Sequence, residues 1–102
     1  MSVRSIAWSA LLLLAIFPAA RAQQFGDLAA GERLAGANCA QCHGADGAQG
    51  AAPALAAIAA MPSTTQASLG VFLQTPHASM PSLILSVAER NDLIAYILSL
   101  RP

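Results

Sequence analysis

The two cysteines of the chain are separated by two residues, in the run Cys39, Ala40, Gln41, Cys42 and His43. This C-x-x-C-H spacing is typical of covalent attachment of a c-type haem. Two thiols on one helical turn can bond the two vinyl groups of the porphyrin, and the next residue then presents its imidazole to the iron. The run therefore predicts one covalent haem c, held by two thioethers, with His43 as an axial ligand.

Other kinds of site also use closely spaced cysteines. A thioredoxin-like redox motif expects a βαβ context, and a closed zinc site expects more ligands than two thiols and one imidazole. In an exported protein the two thiols can pair with each other, but so short a bridge closes almost no loop and stabilises little. The spacing therefore favours haem attachment over these alternatives.

Residues 1–22 are predicted to be a cleaved signal peptide, followed by a single domain over residues 23–102. A positive charge at Arg4 precedes an apolar run over residues 6–17, and the A-x-A pattern at residues 20–22 is typical of a cleavage site. The apolar run is shorter than the roughly 17 to 25 residues of a membrane helix. We therefore expect an exported protein that is not inserted in the membrane after cleavage, with retention of the segment as an anchor as the alternative.

The domain that follows the signal peptide is mildly acidic. Three positive charges stand against five negative ones, for a net charge of minus two, and the chain contains no lysine. This balance argues against nucleic acid or an anionic membrane surface as a partner. The three arginines of the domain, Arg33, Arg90 and Arg101, are expected to be solvated charges on helices.

So short a domain can bury little of its own surface, and such domains often depend on a metal, disulfides or a partner. Its only large aromatic side chains are Phe25, Phe72 and Tyr96, and alanine is abundant. A flat apolar macrocycle would supply the missing bulk. We therefore expect the chain to be poorly folded without haem.

Periodicity and capping signals predict an all-α domain of three to four helices, because no segment alternates long enough to be a strand. Asp27 is a candidate N-cap, and capping boxes are predicted to begin at Ser63 and Ser86. The predicted helices cover residues 28–38, 55–61, 64–74 and 87–100. The side chains expected to face inward are Leu69, Phe72 and Leu73 on the third helix and Leu93, Ile94, Ile97 and Leu98 on the last.

Three features of the chain together resemble a small, soluble, mono-haem class I cytochrome c of the bacterial periplasmic type. They are Gly31 with Ala35 on the first helix, the haem-binding run Cys39–Gly44, and Met80-Pro81 before a last helix that carries Tyr96. The likeness covers residues 26–101. It implies the class I cytochrome c fold, in which the helices surround one covalently attached haem.

The resemblance also implies particular contacts. The first and last helices would cross at Gly31, where a missing side chain lets Tyr96 or Leu93 approach. The second ring nitrogen of His43 would donate to a backbone carbonyl, which fixes the ring and raises its basicity. By resemblance, that carbonyl belongs to Pro53.

Three residues are candidates for the sixth iron ligand: Met80, His77 and Met61. Met80 is favoured because the chain between it and His43 is long enough to pass around the haem edge and return on the opposite face. Met61 follows an alanine-rich helical piece after a much shorter span, so its thioether is expected to pack against the ring edge. His77 stays open as an alternative.

A haem with His43 and Met80 as axial ligands predicts a one-electron carrier and not an enzyme, because a filled sixth position blocks substrate. The expected partners are redox proteins of a respiratory chain, with a dehydrogenase or membrane complex as donor and an oxidase or reductase as acceptor. We expect a monomer that docks through a mostly apolar patch at Ala48–Ala52 and Ala78–Ser82. The alternatives are a dedicated cytochrome subunit of an oxidoreductase complex, and a gas-binding or catalytic haem protein.

Overall fold

The computed structural model describes residues 25–44 and 52–102. The helices in this part of the chain are α1 (Leu28–Asn38), α2 (Leu55–Ala60), α3 (Gln66–Phe72) and α4 (Val87–Ser99). Residues 25–44 and 52–102 contain no strand, so the prediction of an all-α domain is confirmed. The predicted signal peptide, and residues 48–51 of the predicted docking patch, lie outside the described residues.

The longest helices, α1 and α4, begin where the sequence predicts. The Asp27 carboxylate accepts a hydrogen bond of 3.0 Å from the backbone N–H of Ala30, which caps α1. At α4, the Ser86 hydroxyl accepts from the N–H of Glu89 at 3.1 Å, and the Glu89 carboxylate accepts from the N–H of Ser86 at 2.8 Å. Both caps use residues three positions apart and therefore need no tertiary contact.

The prediction for α3 is wrong in its cap and its length. The capping box pairs Thr65 with Ser68, so α3 begins at Gln66 and ends at Phe72 instead of covering residues 64–74. The reason is tertiary. Thr64 is buried, and its hydroxyl donates to the carbonyl of Ile58 at 2.6 Å, so the first helical turn starts after it.

Helices α1 and α4 touch through their backbones. A Cβ atom on Gly31 would overlap the backbone carbonyl of Asp92 and lie 2.7 Å from Cβ of Tyr96. One turn earlier, a Cβ on Gly26 would overlap the carbonyl of Asn91, and the N–H of Asp27 donates to the Asp92 carboxylate at 2.8 Å. The crossing at Gly31 and the approach of Tyr96 are therefore confirmed, and the backbone of Asp92 is the closer neighbour.

Helix α4 is the element that all the other helices contact. Its buried side chains are Leu93, Ile94 and Ile97, and the rest of the hydrophobic core consists of Ala35, Cys39, Ala59 and Leu69. Leu98, predicted for the same stripe, is only partly buried. Phe72 was expected inside but is 45 % exposed; its ring stacks on that of His77, with the centroids 3.7 Å apart. The core is thin, and much of it consists of small side chains.

Gly31→Ala should lower the free energy of unfolding of the holo-protein by about 1 to 3 kcal/mol or more, because its methyl group has no room against α4. Gly36→Ala is the matched control on the same helix, since a Cβ there meets no atom of the described residues within 4 Å. That control should stabilise by about 0.5 to 1 kcal/mol through helix propensity. Denaturant unfolding measures both, and equal effects would contradict the close crossing.

Candidate haem-attachment site

The C-x-x-C-H run continues directly from the end of α1. Cys39 is the C-cap, and its backbone N–H donates to the carbonyl of Ala35 at 2.8 Å. The carbonyl of Cys39 then accepts from the N–H of Cys42 at 3.1 Å and from that of His43 at 2.8 Å. Backbone hydrogen bonds therefore hold both thiols and the imidazole on one tight turn, anchored to the helix that crosses α4.

The two cysteine thiols have different surroundings. Cys39 is 6 % exposed and belongs to the hydrophobic core, and this burial raises the pKa of its thiol. Cys42 is exposed, and the two sulfurs are not joined in a disulfide. The two predicted attachment points therefore lie at the core and at the protein surface, respectively.

The imidazole of His43 is oriented by one backbone group. Its Nδ1 atom lies 2.6 Å from the carbonyl oxygen of Pro53, the atom pair that the family resemblance implies. Because a carbonyl only accepts, Nδ1 must carry the proton and donate it. Nε2 then keeps its lone pair, which is the form of histidine that binds a metal. Pro53 immediately precedes the N-cap of α2, so this short helix supplies the acceptor.

Two of the three candidate sixth ligands lie together. His77 and Met80, both half-buried, line a cavity of about 340 Å³ between α3 and the start of α4. Phe72 and Arg90 also line this cavity. Met61 is not among its lining residues and is 45 % exposed at the end of α2. The cysteines and His43 lie outside the cavity wall, so the structure divides the predicted ligands between two regions.

The residues present fit a haem better than the zinc alternative. In the two described ranges, no three side chains of His, Cys, Asp or Glu lie together as a metal site. Two thiols on one turn, an imidazole with Nε2 available and a thin core match what a c-type haem needs. When bound, the haem would be held by Cys39, Cys42 and His43, and it would supply a one-electron iron couple.

Sequence reasoning missed the role of two arginines. Arg90 was predicted to be a solvated charge, but it lines the cavity that His77 and Met80 also line. The guanidinium of Arg101 donates to the carbonyls of Ala59 and Thr64, which are 42 and 37 residues away along the chain. No local pattern predicts such contacts, because they depend on how the end of α4 packs on other elements.

Comparison with known proteins identifies the family. The family model described as cytochrome c oxidase, cbb3-type, subunit III matches residues 26–97. Cytochrome c-552 of Bradyrhizobium diazoefficiens is 38 % identical over 95 residues, covering 89 % of this chain and 91 % of that protein. No solved structure matches the chain significantly. The chain belongs to the cytochrome c family and is a small class I cytochrome c.

Family membership supports a covalently bound c-type haem and a role as an electron carrier. A role as an electron carrier is also consistent with a protein that is not an enzyme. As for membranes, none of the helices among the described residues has the length and apolar character needed to cross a bilayer.

If Cys39 and Cys42 attach the haem, it should stay on the polypeptide after denaturation in acid and organic solvent. Mass spectrometry of the denatured holo-protein should then show the mass of one haem added to the mature chain. The double variant Cys39→Ala/Cys42→Ala should lose all of this added mass, because it leaves no cysteine in the chain. Haem that can be extracted from the unmodified protein would refute thioether attachment.

Proposed function

We propose that this cytochrome c is an exported one-electron carrier in which His43 and Met80 are the axial ligands of a single haem. The observation that carries the proposal is the 2.6 Å contact between Nδ1 of His43 and the carbonyl of Pro53. It commits one ring nitrogen to the protein and leaves Nε2 for iron. The same contact holds the ring in one orientation, which suits an iron site that keeps its geometry in both oxidation states.

Met80 is the sixth ligand in this proposal. It lies on the loop between α3 and α4, half-buried in the cavity wall, whereas Met61 is at a different place and largely exposed. A thioether is a soft, weak donor that favours Fe(II), so this ligand raises the reduction potential relative to a second histidine. A filled sixth position also excludes small-molecule ligands, which separates a carrier from a gas sensor or a catalytic haem protein.

Export to the periplasm is the second part of the proposal. It rests on the signal-peptide pattern of residues 1–22 and on the similarity to a bacterial cytochrome c-552. We expect processing after Ala22, which N-terminal sequencing of the mature protein would establish.

A second candidate function is a cytochrome subunit that stays within an oxidase. The observation that favours it is the family model that matches residues 26–97, whose description names subunit III of a cbb3-type cytochrome c oxidase. A free carrier purifies as a monomer from the soluble fraction, whereas a subunit purifies in a stable complex. The chemistry at the iron is the same in both cases.

Met80→Ala should abolish the methionine-to-iron charge-transfer band of the oxidised protein and lower its reduction potential. The reduced variant should also bind carbon monoxide, because the sixth position opens. Met61→Leu and His77→Ala should each keep the band. Optical spectroscopy with a redox titration measures all three variants together.

Survival of the band in Met80→Ala would overturn the assignment to Met80. Rapid binding of carbon monoxide by the unmodified protein would instead favour the gas sensor or enzyme. A spectrum typical of two histidine ligands that changes in His77→Ala would move the sixth ligand to His77.

Electron transfer with a partner should depend only weakly on ionic strength. The chain has no lysine, and the described part of the proposed docking patch, Ala52 with residues 78–82, carries no charge. Salt screens the attraction between exposed charges beyond about 8 Å at physiological ionic strength. A docking surface without charges has no such attraction, so added salt should change the electron-transfer rate little. Stopped-flow reduction at several salt concentrations tests this, and a steep fall in rate would contradict an apolar docking patch.

A further inference from the structure

Helix α2 is too short to be stable through its own local interactions. It spans only the six residues Leu55–Ala60, and no side chain caps its N-terminus. Isolated helices shorter than about 12 residues are marginal in water, so α2 must be held by tertiary contacts. Whatever holds α2 also holds Pro53, which lies two residues before its first turn and offers its carbonyl to His43.

The end of α4 provides such a contact. Arg101 follows Leu100, the C-cap of α4, and its Nε–H donates to the carbonyl of Ala59 in the last turn of α2 at 3.0 Å. A second N–H of the same guanidinium donates to the carbonyl of Thr64. The last carbonyls of a helix have no partner within it, and a charged donor satisfies them more strongly than a neutral one.

Thr64 completes the arrangement. It is 5 % exposed, and its hydroxyl donates to the carbonyl of Ile58, the residue before Ala59, at 2.6 Å. The side chain of Ala59 is fully buried, so one side of the last turn of α2 packs into the hydrophobic core. Arg101, Thr64 and the last turn of α2 therefore form one connected group, which we name the α2 clamp.

We propose that Arg101 is a positioning residue for the proximal ligand: by holding the end of α2 it fixes the Pro53 carbonyl against Nδ1–H of His43. The inference rests on the proposed role of His43 as an axial ligand. A firmly held acceptor draws the Nδ1 proton and makes the imidazole a stronger donor through Nε2. A stronger donor favours Fe(III), so the α2 clamp keeps the reduction potential lower than it would otherwise be.

The sign of the change in reduction potential when Arg101 is replaced distinguishes a positioning role from a merely structural one. Releasing the Pro53 carbonyl weakens the imidazole donor and raises the potential. General loosening would admit water to the haem and favour the more highly charged Fe(III), which lowers the potential. Loss of one positive charge also favours Fe(III). Only the positioning role therefore predicts a rise.

The experiment compares Arg101→Met with Arg33→Met in the holo-protein. Both changes remove one positive charge with the same replacement, and Arg33 is an exposed residue of α1 outside the α2 clamp. For Arg101→Met we expect about a threefold higher ratio of reduced to oxidised protein at a fixed ambient potential, or about 28 mV for one electron. Exchange of the His43 Nδ1 proton, followed by NMR, should be about tenfold faster. Arg33→Met should show no rise in the ratio of reduced to oxidised protein and no faster exchange of the His43 proton.

An unchanged or lowered potential in Arg101→Met, or unchanged exchange at Nδ1, would overturn the proposal. In Arg101→Lys, the rise in potential and the faster exchange should both be smaller than in Arg101→Met, because one ammonium donor can still reach a carbonyl. If Arg101→Met does not yield holo-protein, Thr64→Val removes the bond to Ile58 and should shift both readouts in the same direction; no shift there would overturn the proposal equally.

The proposed function is tested separately, on the unmodified protein. If His43 is an axial ligand, its ring protons are strongly shifted by the paramagnetic iron in the oxidised state. Absence of those signals would refute the ligation before any variant is compared. Their presence without a response to Arg101→Met would refute only the role of the α2 clamp.

Discussion

The close crossing of α1 and α4 is the constraint on which the rest of the structure depends. Two glycines, Gly26 and Gly31, let the backbones meet, and the Asp92 carboxylate ties the start of α1 to α4. Cys39 caps the far end of α1 and points its side chain into the core. The register of one helix against the other therefore determines where the thiols and His43 are presented.

Helix α4 also contacts the elements on both sides of the hydrogen bond between His43 and Pro53. Near the middle of α4, the Asp92 carboxylate accepts a hydrogen bond from the start of α1, and just beyond its end Arg101 donates to the last turn of α2. His43 follows α1, and its hydrogen-bond acceptor, Pro53, precedes α2. The two segments that this hydrogen bond joins are therefore both held against the same helix, α4.

The region proposed to supply the sixth ligand is built differently. His77 and Met80 lie in the long connection between α3 and α4, on the wall of the cavity, with Phe72 stacked on the imidazole. Few protein side chains are buried there, and the core elsewhere contains mostly alanine, leucine and isoleucine. Because so few side chains form the core, we expect a large apolar cofactor to contribute to stability as well as to chemistry.

The sequence alone determined the features that depend on near neighbours. The C-x-x-C-H run, the Asp27 cap and the Ser86–Glu89 box each involve residues within four positions, so their physics is complete in a short segment. The all-α class followed from the same local signals. The contact of His43 with Pro53 was accessible only through resemblance to a family, because the nine residues between them carry no pattern that specifies it.

Only the tertiary structure decided the cap of α3 and the role of Arg101. The sequence predicts a capping box that begins at Ser63, but Thr64 is buried against Ile58 and Thr65 caps the helix instead. Arg101 looks like a solvated charge in sequence, yet its donors meet carbonyls about 40 residues away. Both features depend on which backbone carbonyls lack a partner once distant helix ends pack together. Local sequence propensity does not contain that information.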